Sequence, residues 1–241
     1  MKATAFVAAA LLTLIMAAPA TAQATDVDLK APDGVTLKAT YTSPGRPGPA
    51  MLLIHQCNMD RSSWTGISSQ LVDAGLHVLT MDLRGFGDSE GEGMSGGFPN
   101  LLAKSAGDLD RALAYLVGQT GVDGSRIGVG GASCGAMLTG DLPTRHSGIT
   151  TLMLLSGPPS EAAIAHIAAT PALGVFGAGA EDDQVIAGVA NTIKGAVDGS
   201  KNPRSTAKVF PGTEHGLPMF EANAGFESEL VAWLKTQLLS N

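Results

Sequence analysis

The sequence predicts an α/β fold, a mostly parallel sheet of about eight strands with helices on both faces. Three observations predict it. Short apolar runs such as Met51-Leu52-Leu53-Ile54 lack alternation, as strands buried on both sides do. Longer stretches carry the helical period, most clearly Pro99 to Val117, where Leu102, Ala106, Leu109, Leu113 and Leu116 share one face. Strand-like and helix-like segments alternate along the chain, which is the order of βαβ units.

Taken in order, residues 25 to 48 read as an opening hairpin. Val27 and Leu29 alternate with polar residues, Pro32-Asp33-Gly34 is a turn, and Val35 to Tyr41 alternates again. A loop over Pro44 to Pro49 leads to the strand at Met51 to Ile54. Ser62 to Ala74 is a helix with Trp64, Ile67 and Leu71 on one face, and Leu76 to Leu83 is the next strand. Gly85 to Gly97 is a glycine-rich segment whose Gly91 to Gly96 formally matches a dinucleotide fingerprint. It does not open from a strand, and it carries Asp88, Glu90 and Glu92 where a pyrophosphate would sit, so it reads as a mobile surface loop. Strands follow at Arg126 to Gly130, Thr150 to Leu155, Ala172 to Ala178 and Thr206 to Phe210. Helices are expected near Glu161 to Ala168 and Asp183 to Val197, and a closing helix is striped by Phe226, Leu230, Trp233 and Leu234.

Residues 1–22 read as a secretory signal peptide. Lys2 supplies the positive start, Ala3 to Ala18 the apolar run, and Ala20-Thr21-Ala22 a small-residue cleavage site. Residues 25–241 then form a single domain, exported to a periplasmic or extracellular setting, and nothing later resembles a membrane span. The chain has a net charge of −7, which loss of Lys2 takes to −8. That balance argues against nucleic acid or an anionic membrane surface as partner. No histidine pair has metal-ligand spacing with supporting ligands, so neither a metal nor a cofactor is expected.

The chemistry centres on Gly131-Ala132-Ser133-Cys134-Gly135, set between a strand and a helix start. A serine at so tight a turn needs small neighbours, and the glycines flank Ser133 rather than Cys134. The hydroxyl requires a base, and the base requires a carboxylate to orient it. The acidic turn Glu181-Asp182-Asp183 follows one strand, and His215 lies in the loop Gly212 to Gly216 after another. Both sit at the carboxyl ends of strands, where ligand groups of open α/β sheets collect.

These residues, with Asp82-Leu83-Arg84-Gly85-Phe86-Gly87-Asp88-Ser89 and Leu52-Leu53-Ile54-His55, resemble the motifs of the α/β-hydrolase superfamily, in its order of serine, acid and histidine. With no insertion long enough for a cap domain, the chain is similar to the small, dienelactone-hydrolase-like members. The resemblance implies Ser133 as nucleophile, His215 as base and Asp183 as acid, Asp183 being followed by Gln-Val as in the family's Asp-x-Val. Asp182 and Glu181 stay as alternatives. Two departures stand out. The family's His-Gly is His55-Gln56 here, and dienelactone hydrolases proper use cysteine at the elbow. His55 is expected to steady the neighbouring loop, while His77, His146 and His166 read as structural.

The resemblance also places the oxyanion-binding N–H groups on Cys57 and Cys134. Two donors to one oxygen lie close together, so it implies a Cys57–Cys134 disulfide, with two free thiols as the alternative. The expected activity is cleavage of a small-molecule or polymer-borne carboxylic ester. Amide cleavage, acyl transfer or a non-catalytic binding role remain as alternatives.

Overall fold

The computed structural model describes residues 22–240, so the leader expected over 1–22 lies outside the described residues except for Ala22. The strands are β1 (Gln23–Lys30), β2 (Thr36–Ser43), β3 (Gly48–Ile54), β4 (His77–Met81), β5 (Val122–Ala132), β6 (Ile149–Leu155), β7 (Gly174–Ala180) and β8 (Thr206–Phe210). They form one sheet of 8 strands in the order β1-β2-β4-β3-β5-β6-β7-β8. β1 pairs antiparallel with β2 and β2 antiparallel with β4, and every later pairing is parallel.

The apolar run of β3 is buried along its whole length because its side chains alternate between two cores. Leu52 and Ile54 join α2 (Phe98–Val117), α3 (Cys134–Gly140) and α5 (Val189–Asp198) through Leu109, Ala136 and Ile193. Met51 and Leu53 face α1 (Thr65–Ala74) and α7 (Phe226–Leu239) through Leu71, Leu230 and Leu234. This is why β3 shows no polar alternation. The remaining α-helices among the described residues are α4 (Glu161–Ala169) and the short α6 (Met219–Ala222).

Neighbouring elements crowd the centre of β5. A Cβ added at Gly130 would sit 2.7 Å from the Met153 Cβ, and one at Gly128 would sit 2.5 Å from the Met51 Sδ. The strand therefore lets adjacent methionine side chains cross its surface.

Three expectations need correction. The helix expected from Asp183 begins at Val189, since Asp183 Oδ1 accepts the N–H groups of Val185 and Ile186 (2.9 Å each) and closes a turn instead. The strand β3 starts at Gly48, inside the loop expected over Pro44 to Pro49, because Gly48 N–H finds Gly121 O at 2.9 Å. The segment expected to be a mobile loop is fastened along its first part. Glu90 exchanges hydrogen bonds with the Thr36 backbone, and Ser89 Oγ accepts Lys38 N–H at 2.8 Å while donating to Asp82 O at 2.8 Å.

Candidate active site

The strand β5 ends at Ala132 and α3 begins at Cys134, which leaves Ser133 alone at the bend with φ 52° and ψ −123°. A non-glycine residue in this region costs about 1–3 kcal/mol and persists only where its surroundings enforce it. Here Ser133 N–H donates to Leu155 O at 2.7 Å, and Ser133 O accepts Met137 N–H at 3.0 Å. A Cβ on Gly131 would run into the backbone of Gly135, and one on Gly135 into the carbonyls of Ile54 and His55. The flanking glycines are required by that contact.

Two further loops bring His215 and Asp183 to the serine. Beyond the ends of β7 and β8, Glu181 N–H bonds Phe210 O at 2.8 Å and Asp182 N–H bonds Gly212 O at 3.0 Å, so the acidic turn and the histidine loop are zipped together. His215 Nε2 lies 2.7 Å from Ser133 Oγ, and His215 Nδ1 lies 2.8 Å from Asp183 Oδ2. With Nδ1–H donating to the carboxylate, Nε2 carries the lone pair that can accept the serine proton. The Asp183 side chain is fully buried and that of His215 nearly so, whereas Asp182 and Glu181 are exposed.

Cys57 and Cys134 are joined by a disulfide with a Cα–Cα distance of 5.9 Å. It links the loop after β3 to the residue following Ser133. Among the described residues, neither the Cys57 nor the Cys134 backbone N–H has an acceptor within the chain. Both cysteines are thus adjacent to the serine with their donors uncommitted. Cys57 and Ser133 line an open cavity of about 560 Å³, together with Asn58, Gln184, Thr213 and Glu214.

Behind the site, His55 is fully buried. Its Nδ1–H donates to Gln56 O at 2.8 Å, and its Nε2 accepts Leu83 N–H at 2.9 Å. Burial holds its pKa below the ordinary value, which keeps the ring neutral. His77, His146 and His166 lie elsewhere, bonded to Tyr41, Asp110 and Thr170. No group of acidic, histidine or cysteine side chains among the described residues could hold a metal ion.

The residue that sequence reasoning passed over is Gln56, noted only as a departure from His-Gly. Its side chain is buried and accepts Leu217 N–H at 2.9 Å, reaching from the β3 loop to the histidine loop. A polar residue in place of glycine was the available signal, but its partner lies 161 positions away.

Comparison with known proteins agrees with this architecture. A family model described as alpha/beta hydrolase fold matches residues 49–174, which include Ser133 and end before Asp183 and His215. An uncharacterized protein of Mycobacterium tuberculosis is 34% identical over 113 residues, and the match spans 46% of this chain but only 38% of that protein. Among solved structures, an esterase from Pyrococcus furiosus superposes with a TM-score of 0.69 at 18% identity, covering 88% of this chain and 92% of that one. Acetyl xylan esterase 1 from Thermoanaerobacterium sp. gives a TM-score of 0.69 at 18% identity, covering 90% of this chain and 84% of that one. At such identities the likeness is one of fold. On the family match and the shared fold together, the chain belongs to the alpha/beta hydrolase fold family.

Proposed function

We propose that the protein is an exported serine hydrolase that cleaves carboxylic esters. The observation that carries the reading is the continuous relay from Ser133 Oγ through His215 to a buried Asp183, beside two uncommitted N–H groups. Ser133 Oγ attacks the ester carbonyl while His215 Nε2 takes its proton. Asp183 holds the imidazole in the required tautomer and stabilises the imidazolium that forms. The carbonyl oxygen gains negative charge and is received by the N–H groups of Cys57 and Cys134, at the N-terminal end of α3. His215 then returns the proton to the leaving alkoxide. Water, activated by the same histidine, clears the acyl group from Ser133.

The cavity mouth is open and carries polar side chains at Asn58, Gln184 and Thr213, which suits a short acyl group on a polar alcohol. The fold shared with an acetyl xylan esterase makes acetylated carbohydrates a natural first group to assay. Export rests on the leader-like residues 1–22, and a disulfide at the site is in keeping with an oxidising compartment. No helix among the described residues is long and apolar enough to cross a membrane.

A fluorophosphonate probe tests the reading directly. Rapid labelling, abolished by Ser133→Ala, is the expected result, followed by turnover of p-nitrophenyl acetate. Absence of labelling in the folded wild type would refute it.

A further inference from the structure

We propose that Gln56 is a positioning residue, whose side chain holds the loop bearing the Cys57 N–H at a fixed separation from the loop bearing His215. The proposal rests on the serine-hydrolase reading above. Gln56 follows β3 and His55 directly and is 3% exposed. Its Oε1 accepts Leu217 N–H at 2.9 Å and its Nε2 donates to Asn58 Oδ1 at 2.7 Å. The orientation of the amide is dictated by its partners, because a backbone N–H can only donate and so must face the oxygen.

The surroundings are shaped for this contact. A Cβ on Gly216 would overlap Gln56 Oε1, so glycine at that position admits the amide. Leu217 is itself buried, and without Gln56 its N–H would lose its acceptor. The next residue along, Cys57, is bonded to Cys134 beside the nucleophile. Two consecutive residues of one loop are therefore fastened in different directions, Cys57 to the serine elbow and Gln56 to the histidine loop. The oxyanion donor, the nucleophile and the base arrive on three separate loops, and this pair of ties sets their mutual distances. A glycine at position 56 would leave one of those distances unconstrained.

What such a tie controls is geometry in the transition state, where the oxyanion and the proton in flight must be met together. Gln56 borders the cavity but is only 3% exposed and its amide is committed to Leu217 and Asn58, so it offers the ground-state substrate little and its loss falls on kcat. The test compares Gln56→Met, which keeps length and removes the polar atoms, with Gln56→Gly. Unfolding temperature, kinetics on p-nitrophenyl acetate and the rate of fluorophosphonate labelling are measured for each. A kcat lower by about 10–100-fold is expected, with KM within about threefold and labelling slowed in parallel. Should Gln56→Met not fold, Asn58→Ala releases the other end of the amide and is expected to lower kcat in the same direction by a smaller factor; because Asn58 also lines the cavity, kcat and the labelling rate, not KM, are the readouts for this variant. A folded Gln56→Met or Asn58→Ala protein with wild-type kcat, or a loss confined to KM, overturns the proposal. A wild type that neither turns over ester nor takes the label would remove the hydrolase reading and the tie with it. A labelled wild type alongside an equally fast Gln56→Met protein would remove the tie alone.

Discussion

Asp183 and Asp182 are adjacent in sequence and opposite in setting. The Asp183 carboxylate is buried and bonds His215 Nδ1 at 2.8 Å, while its Oδ1 also accepts the N–H groups of Val185 and Ile186; Asp182 faces solvent. On the proposed mechanism, replacing Asp183 by Asn removes the charge that would orient the imidazole and stabilise the imidazolium, and kcat should fall by about 10³–10⁴-fold. Asp182→Asn should stay within about twofold of wild type, since exposed substitutions away from the relay change little. Kinetics on p-nitrophenyl acetate check both, and the reverse pattern would reassign the acid.

The disulfide ties the β3 loop to the residue after Ser133. Thiol titration of the unfolded, unreduced protein should find no free thiol, since Cys57 and Cys134 are bonded to each other. Reduction opens a link across 77 residues of chain and should lower stability by up to about 4 kcal/mol, read from denaturant unfolding. A Cys134→Ser protein should still be labelled at Ser133 by the fluorophosphonate. Failure of a folded Cys134→Ser protein to label would show that the reactivity of Ser133 requires the disulfide that positions its loop.

Stability should also depend on pH through His55 and His77. Burial lowers both pKa values from their ordinary 6.5, so between the folded and unfolded values the unfolded chain binds more protons. Their contribution is complete above about pH 6.5 and is lost as pH falls through the folded values. The unfolding temperature should therefore decline from pH 7 toward 5, with a shallower slope in His55→Gln or His77→Gln. An unchanged slope in both variants would contradict this account.

Arg84 should be a costly ionic residue to remove. Its guanidinium bonds the fully buried carboxylate of Asp108 at 2.6 and 2.7 Å and reaches Asp33 in the hairpin turn at 2.8 Å. Burial pushes the Asp108 carboxyl upward against the pull of that guanidinium. Arg84→Met leaves Asp108 buried without its partner and should cost about 3–5 kcal/mol. Asp33→Asn, at the exposed end of the guanidinium, should leave stability close to that of the wild type. Urea unfolding of the two variants distinguishes them.

Charge at the cavity mouth should select among esters. Among the described residues, Glu214 supplies the one carboxylate lining the cavity, and Thr213 N–H donates to it at 3.0 Å. A p-nitrophenyl hemisuccinate should accordingly react with a kcat/KM several-fold below that of the neutral acetate. Salt should narrow the gap, as should Glu214→Gln. Equal rates at low salt would exclude this selection.

The fold was legible because its signals are local. Unalternated strands, a helix striped at Leu102 to Leu116, and turns at the strand ends each declare themselves within a few residues. What stayed hidden depends on partners far along the chain. Glu90 meets Thr36 across 54 positions and turns an expected mobile loop into a fastened one. The false start of α5 has a different cause: Asp183 can favour a helix or a turn, and its contact with His215 accompanies the turn. Of the site, Ser133 stood out by its glycines, while the pairing of Cys57 with Cys134 came through family resemblance rather than spacing. Gln56 was visible only as an exception, because no local rule connects it to Leu217.

The crowding along β5 and its bend reverses the usual relation between size and importance. At Gly130 a single added carbon meets the Met153 Cβ, and at Gly131 and Gly135 it meets backbone, which at Gly135 carries the β3 loop. These residues tolerate replacement poorly although they have nothing to lose by truncation. A scan to alanine, which normally finds importance by removing atoms, would find it here by adding them.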